Sequence, residues 1–457
     1  MWPQARLGKR LEISTFVSDL IQALTDRRRS MLGAPANRTK DVDLGAMCEL
    51  LLSRRGEASG AALATIILDH YAKAAPEAQL EFLKLLLTDF DADHERLASA
   101  IAAYGDNNNL HSAGTLHRST EPRRQELFRR LNMAPGGTQA LVHMREHLLA
   151  HLGAEPALKA VDADFVHLFS SWFNRGFLTL DVIDWRTPAN ILERIIRYEA
   201  VHEITDWDEL RRRLEPADRR CFGFFHPQMP DEPLIFVEVA LAPDIVASMA
   251  TLLDADRPVM AAETATTAVF YSISNCQIGL KGISFGNLLI KQVVADLKLE
   301  LPNLKTFVTL SPLPGFARWL RGEMANPASP WVSREDLGAM QDLDRPEPAL
   351  MDAGARRALL RCAAAYLLHA KRKDGLPLDP VSRFHLGNGA RLERINLLAD
   401  ISAQGMQQSF GVMVNYLYDP KTIEENHERF AESAEVVASP ETRKLFQAEI
   451  VEIEKVS

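Results

Sequence analysis

The stretch from Ala268 to Phe316 constrains the fold of this chain more than any other, because it holds two strand-like runs separated by a glycine-bearing turn and a helix-like run. Ala268 to Ser274 is apolar and rich in β-branched and aromatic residues, and Thr306 to Leu310 is the second apolar run. Between them, leucines and a valine recur near helical spacing from Leu288 to Leu297. This order predicts mixed α/β structure, with most of the candidate chemistry on two loops.

The turn between the first strand and the helix carries Gly279, Gly282 and Gly286. Glycines let backbone N–H groups approach a phosphate at a helix N-terminus, so we expect an anionic ligand here. The spacing fits no GxGxxG fingerprint, and Lys291 does not follow a Walker-type glycine. The turn resembles the pyrophosphate loop of the GNAT acetyltransferase superfamily, which holds coenzyme A. The alternative is a turn that only packs a strand against a helix.

Length and composition bound the class of protein. A chain of 457 residues predicts two or three domains, and 47% hydrophobic with 25% charged residues is typical of a globular protein. A net charge of −9 argues against a nucleic-acid partner. No apolar run is long enough to span a bilayer, and four cysteines without CxxC spacing favour a reducing compartment. We therefore expect no membrane association and a cytoplasmic location.

The first part of the chain has the pattern of a helical bundle. An initial helix is expected within residues 1 to 40, and residues 42 to 176 read as successive helices broken at Gly, Pro, Asp and Asn. Strand-like and helix-like segments mix after residue 180, beginning with a strand over Leu234 to Leu241. The predicted fold is thus a helical domain, residues 1–180, followed by a mixed α/β domain, residues 181–457.

One short motif in the helical part suggests a metal. His143 and His147 match the HxxEH pattern, and His151 follows one turn later. Two histidines four residues apart on one helix face can bind zinc. A metalloprotease also needs a distant carboxylate ligand, and the sequence around the motif simply continues the helix. We therefore predict no metal site and interpret these residues as an ordinary helix face.

Two later segments carry residues suited to proton transfer. In Thr309 to Phe316, two prolines and a glycine fix a loop at a strand end that leaves Ser311 at the C-terminal edge of a sheet. The second segment, Asp379 to Ala390, contains His385, and histidine is the side chain best suited to proton transfer near neutral pH. A serine within hydrogen-bond reach can relay that proton. Each residue alone is also typical of a structural turn, and the sequence does not show that they meet.

Together these segments resemble the malonyl-CoA decarboxylase family over most of residues 165 to 420. The residues that carry the resemblance are His226-Pro with Glu232-Pro-Leu, Tyr271-Ser-Ile-Ser, Gly279-Leu-Lys-Gly282, Leu289-Ile-Lys291, Leu310 to Phe316, Phe384 to Ala390, Arg394-Ile-Asn396, Ala399-Asp400 and Asn415-Tyr-Leu-Tyr418. The resemblance implies a helical N-terminal domain for oligomerisation and an acetyltransferase-like catalytic domain. It also implies a catalytic Ser/His pair, here Ser311 and His385, with Tyr418 as an active-site tyrosine and Asn388 beside the malonyl carboxylate or enolate.

The resemblance further assigns the coenzyme A loop to one continuous segment. Its residues are Lys281, Gly282, Ile283, Ser284, Phe285, Gly286 and Asn287. Some family members carry a glutamate where this chain has Ser284, so a role for that carboxylate does not transfer to this sequence. Backbone N–H groups can still bind the pyrophosphate.

The activity implied is conversion of malonyl-CoA to acetyl-CoA and CO2 through a thioester enolate. No metal or organic cofactor is expected, because coenzyme A is part of the substrate and the thioester carbonyl is the electron sink. The expected partners are malonyl-CoA, acetyl-CoA and further copies of the chain, as a dimer or tetramer through the helical domain. Two alternatives stay open: a CoA-dependent acyltransferase, and a non-catalytic acyl-CoA sensor.

Overall fold

A computed structural model describes residues 43–53, 57–283, 289–341, 343 and 351–447. The predicted initial helix and the loop residues Ser284 to Asn287 lie outside this part of the chain. The described residues form two compact units. The helical unit comprises the described residues up to Asn174 together with two later segments, Pro227–Met229 and Gln277–Ile283. The sheet unit comprises the other described residues.

The helical unit is built from helices whose ends follow local sequence signals. Its helices are α1 (Leu44–Leu52), α2 (Glu57–Lys73), α3 (Pro76–Thr88), α4 (His94–Asp106), α5 (Leu110–Thr120), α6 (Arg123–Leu131), α7 (Gly137–His151) and α8 (Lys159–Trp172). Asp43, Asp93 and Asn109 each cap a helix by accepting a hydrogen bond from a backbone N–H in its first turn. In the core, the rings of Phe128 and Phe165 stack with centroids 4.2 Å apart.

The sheet unit combines one mixed sheet with helices. The strands are β1 (Thr179–Ile183), β2 (Arg219–Phe225), β3 (Ile235–Ala242), β4 (Thr267–Asn275), β5 (Thr306–Thr309), β6 (Ser311–Pro312), β7 (Arg391–Asn396) and β8 (Met413–Leu417). The helices are α9 (Ala189–Tyr198), α10 (Trp207–Leu214), α11 (Met249–Leu253), α12 (Leu289–Glu300), α13 (Phe316–Met324), α14 (Arg334–Ala339), α15 (Ala353–Leu368), α16 (Pro380–Gly387), α17 (Ala403–Ser409), α18 (Ile423–Ser433) and α19 (Pro440–Gln447). The predicted order, a helical domain followed by a mixed α/β domain, is confirmed.

The strand order of the sheet is β1-β2-β3-β4-β5-β8-β6, and β7 pairs with β8 off this path. β4 and β5 are parallel from the pair Thr267↔Thr306 to the pair Phe270↔Thr309, while the other pairings are antiparallel. β4 continues to Asn275, but the chain after β5 turns to pair with β8 through Ser311. The two parallel strands therefore separate just before Ser311.

Side chains alternate between the two faces of the sheet. Val308 and Leu310 are buried in a hydrophobic cluster with Met249 and Leu252 of α11. Thr309 and Ser311, at the alternate positions, therefore lie on the opposite face. No helix among the described residues is both long and apolar enough to cross a membrane.

Candidate active site

Ser311 lies where the sheet stops being continuous. The last bond between the parallel strands runs from Leu310 N–H to the Phe270 carbonyl at 2.9 Å. Pro312 and Pro314 follow, and α13 begins at Phe316. Prolines cannot donate to a ladder, so they end the strand there. The Ser311 side chain is held at this end with only 5% of its surface exposed.

His385 is presented by α16, a helix rather than a turn. Asp379 caps this helix by accepting from Ser382 N–H at 2.7 Å, and Pro380 occupies the first turn. The imidazole is 3% exposed, and its Nε2 lies 2.9 Å from Ser311 Oγ. Its Nδ1 lies 2.8 Å from the Tyr418 hydroxyl. The structure thus brings three of the predicted residues into one hydrogen-bonded chain, and their roles in a reaction stay predictions.

A second layer of groups orients this Ser–His–Tyr chain. The Tyr416 ring stacks on His385 with centroids 4.6 Å apart and an interplanar angle of 25°. Its hydroxyl lies 2.6 Å from Ser382 Oγ, on the helix that carries His385. Thr309 Oγ1 accepts a hydrogen bond of 2.8 Å from Ser311. Ser311 and His385 are therefore each fixed by a buried neighbour, an arrangement that acid–base catalysis would require.

Burial sets the protonation states of the Ser–His–Tyr chain. It lowers the pKa of His385 from 6.5 to about 3, so the imidazole is neutral at physiological pH. Burial, reinforced by Tyr416, raises the pKa of Tyr418 well above its ordinary value, so that phenol keeps its proton. Asp379 has its pKa raised to about 6 by burial, against the hydrogen bond from Ser382. The Ser–His–Tyr chain therefore consists of neutral groups that can exchange protons.

Sequence reasoning missed Thr309, Ser382 and Tyr416. Thr309 and Tyr416 each lie on a strand two positions before a predicted site residue, and where the backbone stays extended such residues lie on one face. The sequence alone could therefore have indicated Thr309 and Tyr416 as candidates. It could not have indicated the contact of Tyr416 with His385, because that contact depends on how α16 packs on β8.

Asn388 differs from the other predicted site residues. It ends α16, and its Nδ2 donates to the Phe384 carbonyl at 2.7 Å, so the side chain caps its own helix. Its backbone N–H donates to the His385 carbonyl at 3.1 Å, but no hydrogen bond described for the Asn388 side chain reaches Ser311, His385 or Tyr418. Its predicted role at the malonyl carboxylate stays a prediction.

The glycines of the predicted coenzyme A loop have different local roles. A Cβ on Gly279 would lie 2.0 Å from the Val142 carbonyl oxygen, and Arg145 Nη1 donates to the Gly279 carbonyl at 2.7 Å. Gly279 is therefore required by packing on α7. Gly282 has φ +81° with open space around it, a backbone conformation that favours glycine. Lys281 and Gly282 are exposed and Ile283 is buried.

The HxxEH motif lies on α7. His143 is exposed, and His147 Nδ1 lies 3.5 Å from the Tyr71 hydroxyl. Within the described ranges, no group of three or more His, Cys, Asp or Glu side chains is arranged to hold a metal ion. The absence of a metal from the reaction stays a prediction.

The mixed sheet and the buried Ser–His–Tyr chain form the arrangement expected of an α/β enzyme that uses acid–base chemistry. Comparison with known proteins is more specific. The model of the malonyl-CoA decarboxylase C-terminal domain matches residues 176–456, and that of the N-terminal domain matches residues 90–173. The chain belongs to the malonyl-CoA decarboxylase family, whose members are carboxy-lyases.

Relatives and solved structures agree with this assignment. The mitochondrial malonyl-CoA decarboxylase of Anser anser anser is 35% identical over 374 residues, 74% of each chain. The Rattus norvegicus enzyme is 33% identical over 382 residues, 76% of this chain and 77% of that one. The crystal structure of malonyl-CoA decarboxylase from Rhodopseudomonas palustris is 58% identical with TM-score 0.84, covering 88% of this chain and 98% of that one. The Agrobacterium vitis structure is 55% identical with TM-score 0.85, covering 88% and 99%.

Proposed function

We propose that this protein converts malonyl-CoA to acetyl-CoA and CO2, with Ser311 and His385 protonating the enolate. The observation that carries the proposal is the buried chain Ser311–His385–Tyr418 at the point where β4 and β5 separate. Loss of CO2 from a malonyl thioester leaves an enolate. The site must stabilise its oxyanion and then deliver one proton to carbon.

The separation of the strands is where we place the acyl thioester. β4 runs on to Asn275 after β5 has turned away, so the space beside Ser311 lies between two strands of the sheet. Ser311, at the edge of that space, is the direct donor to carbon, and His385 resupplies its proton. Tyr418 and Asn388 position the carboxylate or the enolate. A site with few exposed atoms keeps water from competing as an acid.

Coenzyme A would bind through the loop from Lys281 to Asn287. Gly282 supports this assignment, since its left-handed backbone favours glycine and the open space around it lets a phosphate approach the turn closely. Ser284 brings no carboxylate to the loop, so the Ser–His–Tyr chain is the proposed proton source. The reaction needs no metal or organic cofactor, because the thioester carbonyl accepts the electrons.

The cellular setting follows from the substrate. We place the reaction in fatty acid metabolism and the protein in the cytoplasm, as a homo-oligomer, dimer or tetramer, assembled through the helical domain. Two observations support the cytoplasmic location. The relatives of known structure are bacterial, and all four cysteines are buried and free, as is usual in a reducing compartment.

The test is an assay without an acyl acceptor. Purified protein is incubated with malonyl-CoA, and acetyl-CoA is separated by chromatography while CO2 is trapped. Wild type should form both, whereas an acyltransferase or a sensor would form neither. Ser311→Ala and His385→Ala should each be slower by roughly 10² to 10⁴-fold. The double variant should be little worse than the slower single variant, because groups that act as a unit are not additive.

Controls separate the possible failures. Ser433→Ala, at an exposed serine of α18, should match wild type. Activity should survive prolonged EDTA treatment, and zinc lost together with activity would overturn the metal-free mechanism. Multiplicative effects of the two single variants would show that Ser311 and His385 do not act together. No acetyl-CoA from wild type would refute the function itself.

A further inference from the structure

Thr309 interrupts the sheet directly beside Ser311. At the pair before it, Tyr418 N–H donates to the Phe307 carbonyl at 2.8 Å, as an antiparallel ladder requires. Two residues further, the corresponding Tyr416 N–H donates to Thr309 Oγ1 at 3.1 Å. The Thr309 carbonyl accepts instead from Asn415 Nδ2 at 2.7 Å. A side-chain hydroxyl thus takes the place of a backbone acceptor within the sheet.

The Thr309 hydroxyl oxygen accepts twice. One bond comes from Tyr416 N–H, which can only donate, and the other comes from the Ser311 hydroxyl at 2.8 Å. Thr309 is completely buried, so these bonds do not compete with solvent. The single hydroxyl proton of Ser311 is therefore directed at Thr309.

This fixes the direction of every other bond in the Ser–His–Tyr chain. Since the Ser311 proton points to Thr309, Ser311 Oγ accepts from His385 Nε2 across their 2.9 Å contact. A neutral imidazole that donates from Nε2 accepts at Nδ1, and the Tyr418 hydroxyl lies 2.8 Å from that atom. The donors run in one order, from Tyr418 through His385 and Ser311 to Thr309.

We propose that Thr309 is a positioning residue that holds His385 in the tautomer protonated on Nε2 and so sets Ser311 as a proton donor rather than a nucleophile. The role in turnover rests on the proposed function, whereas the direction of the hydrogen bonds belongs to the resting protein. In turnover, the Ser311 O–H bond breaks as the C–H bond of acetyl-CoA forms. The Nε2 proton then passes to Ser311 while the Tyr418 hydroxyl stabilises Nδ1 through its hydrogen bond, and one proton from solvent returns to Nε2 after product release.

The same direction makes Ser311 a poor nucleophile. Attack by a serine requires a base that removes its proton, and an Nε2 that already carries a proton cannot do so. Thr309→Val keeps the size of the side chain but removes the acceptor. The remaining partner of the Ser311 proton among the described residues is then His385 Nε2, which must lose its own proton to accept it. Ser311 should become activated for attack while losing its function as an acid.

The experiment measures both properties on the same variants. Decarboxylation is followed by acetyl-CoA formation, and nucleophilicity by reaction with a fluorophosphonate, detected by intact mass and mapped to Ser311. In that reaction the Oγ–P bond forms, the P–F bond breaks with loss of fluoride, and His385 takes the serine proton. Thr309→Val should lower kcat by about 10- to 100-fold at little changed KM and should raise the labelling rate by at least about tenfold.

Two matched variants control for packing. Thr309→Ser restores the hydroxyl and should recover both the wild-type kcat and the slow labelling. Thr306→Val makes the same change three residues earlier on β5 and should leave both unchanged. A Thr309→Val protein that loses activity without faster labelling has lost only structure, and it overturns the proposal. Rapid labelling of wild-type Ser311 overturns it as well.

A measurement on the wild-type protein removes dependence on the folding of any variant. With ¹⁵N-labelled histidine, the His385 signal is identified as the one missing from His385→Asn. Protonation on Nε2 supports the proposal, and protonation on Nδ1 overturns it. If wild type forms no acetyl-CoA while labelling and tautomer follow expectation, the proposed function fails and the role of Thr309 in orienting Ser311 stands.

Discussion

The pH dependence of turnover tests the environment of His385 directly. Burial lowers the pKa of this imidazole from 6.5 to about 3, and no buried carboxylate is hydrogen-bonded to either of its ring nitrogens among the described residues. An acid–base group that must start neutral is inactivated by protonation. The pH at which activity falls therefore reports how well the site excludes water from His385.

The expected magnitude is large. With a pKa of about 3, about 1% of His385 is protonated at pH 5, whereas at the ordinary value of 6.5 about 97% would be. An exposed histidine would thus cost about 30-fold in kcat/KM at pH 5. We expect a loss below about twofold from His385 itself between pH 8 and pH 5.

Asp379, on the helix that carries His385, titrates within this range. It caps the helix of His385, and its pKa is raised to about 6 by burial. Asp379→Asn keeps a capping oxygen without the charge, since Asn caps as well as Asp. The assay is direct chromatography of acetyl-CoA from pH 5 to pH 8 for wild type and Asp379→Asn, because coupling enzymes have pH limits of their own.

The stability of the fold sets the lowest pH at which the assay can be run. Between pH 6.5 and about 3 an unfolded chain protonates this histidine and the folded one does not, so the fold loses stability as the pH falls. Unfolding curves at each pH identify the range in which the protein is folded. An acid limb with a midpoint near 6.5 that persists in Asp379→Asn within that range would refute the argument from burial.

Two further predictions concern stability. Gly389 has φ +81°, and a Cβ there would lie 2.0 Å from the Ile423 carbonyl oxygen, so Gly389→Ala should cost about 2 to 4 kcal/mol in chemical unfolding. Gly375→Ala, at the same φ with open space, should cost only about 1 to 2 kcal/mol, and equal losses would exclude the steric cause. Glu238 is fully buried and forms an ion pair with Arg213. Burial outweighs the attraction to Arg213 and raises the pKa of Glu238 to about 7, so the contribution of Glu238 to stability falls as the pH rises from 5 to 8. Glu238→Gln should remove that part of the pH dependence of Tm, whereas the control Glu300→Gln, at an exposed ion pair, should leave it unchanged. If Tm of Glu238→Gln varies with pH as in wild type, another group causes the pH dependence.

Local pattern determined most of the secondary structure around the site. The expected strand over Ala268 to Ser274 is β4, the run Thr306 to Leu310 is β5, and the helix between them is α12 from Leu289. The strands were predictable because burial on both faces makes them continuous apolar runs, and the helix because its apolar residues recur at helical spacing. The change from helical to mixed structure was visible for the same reason, and the described helical unit ends at Asn174.

The candidate site needed more than local pattern. Ser311 and His385 are 74 positions apart, and resemblance to a family, not periodicity, paired them. The resemblance also supplied Tyr418, but it did not distinguish Asn388, whose side chain caps α16, from the residues whose side chains contact the His385 imidazole. Sequence likewise did not separate Gly279, which packs on α7, from Gly282 in its open turn.

Only the tertiary structure decided which side chains meet and in which direction their protons point. The register of β5 and β6 against β8 puts the Tyr416 N–H opposite the Thr309 hydroxyl, and the packing of α16 brings His385 to Ser311 and Tyr418. The same packing removes water from the imidazole and lowers its pKa. Secondary structure follows from periodic burial within a few residues, whereas these contacts depend on the relative placement of elements distant in the sequence.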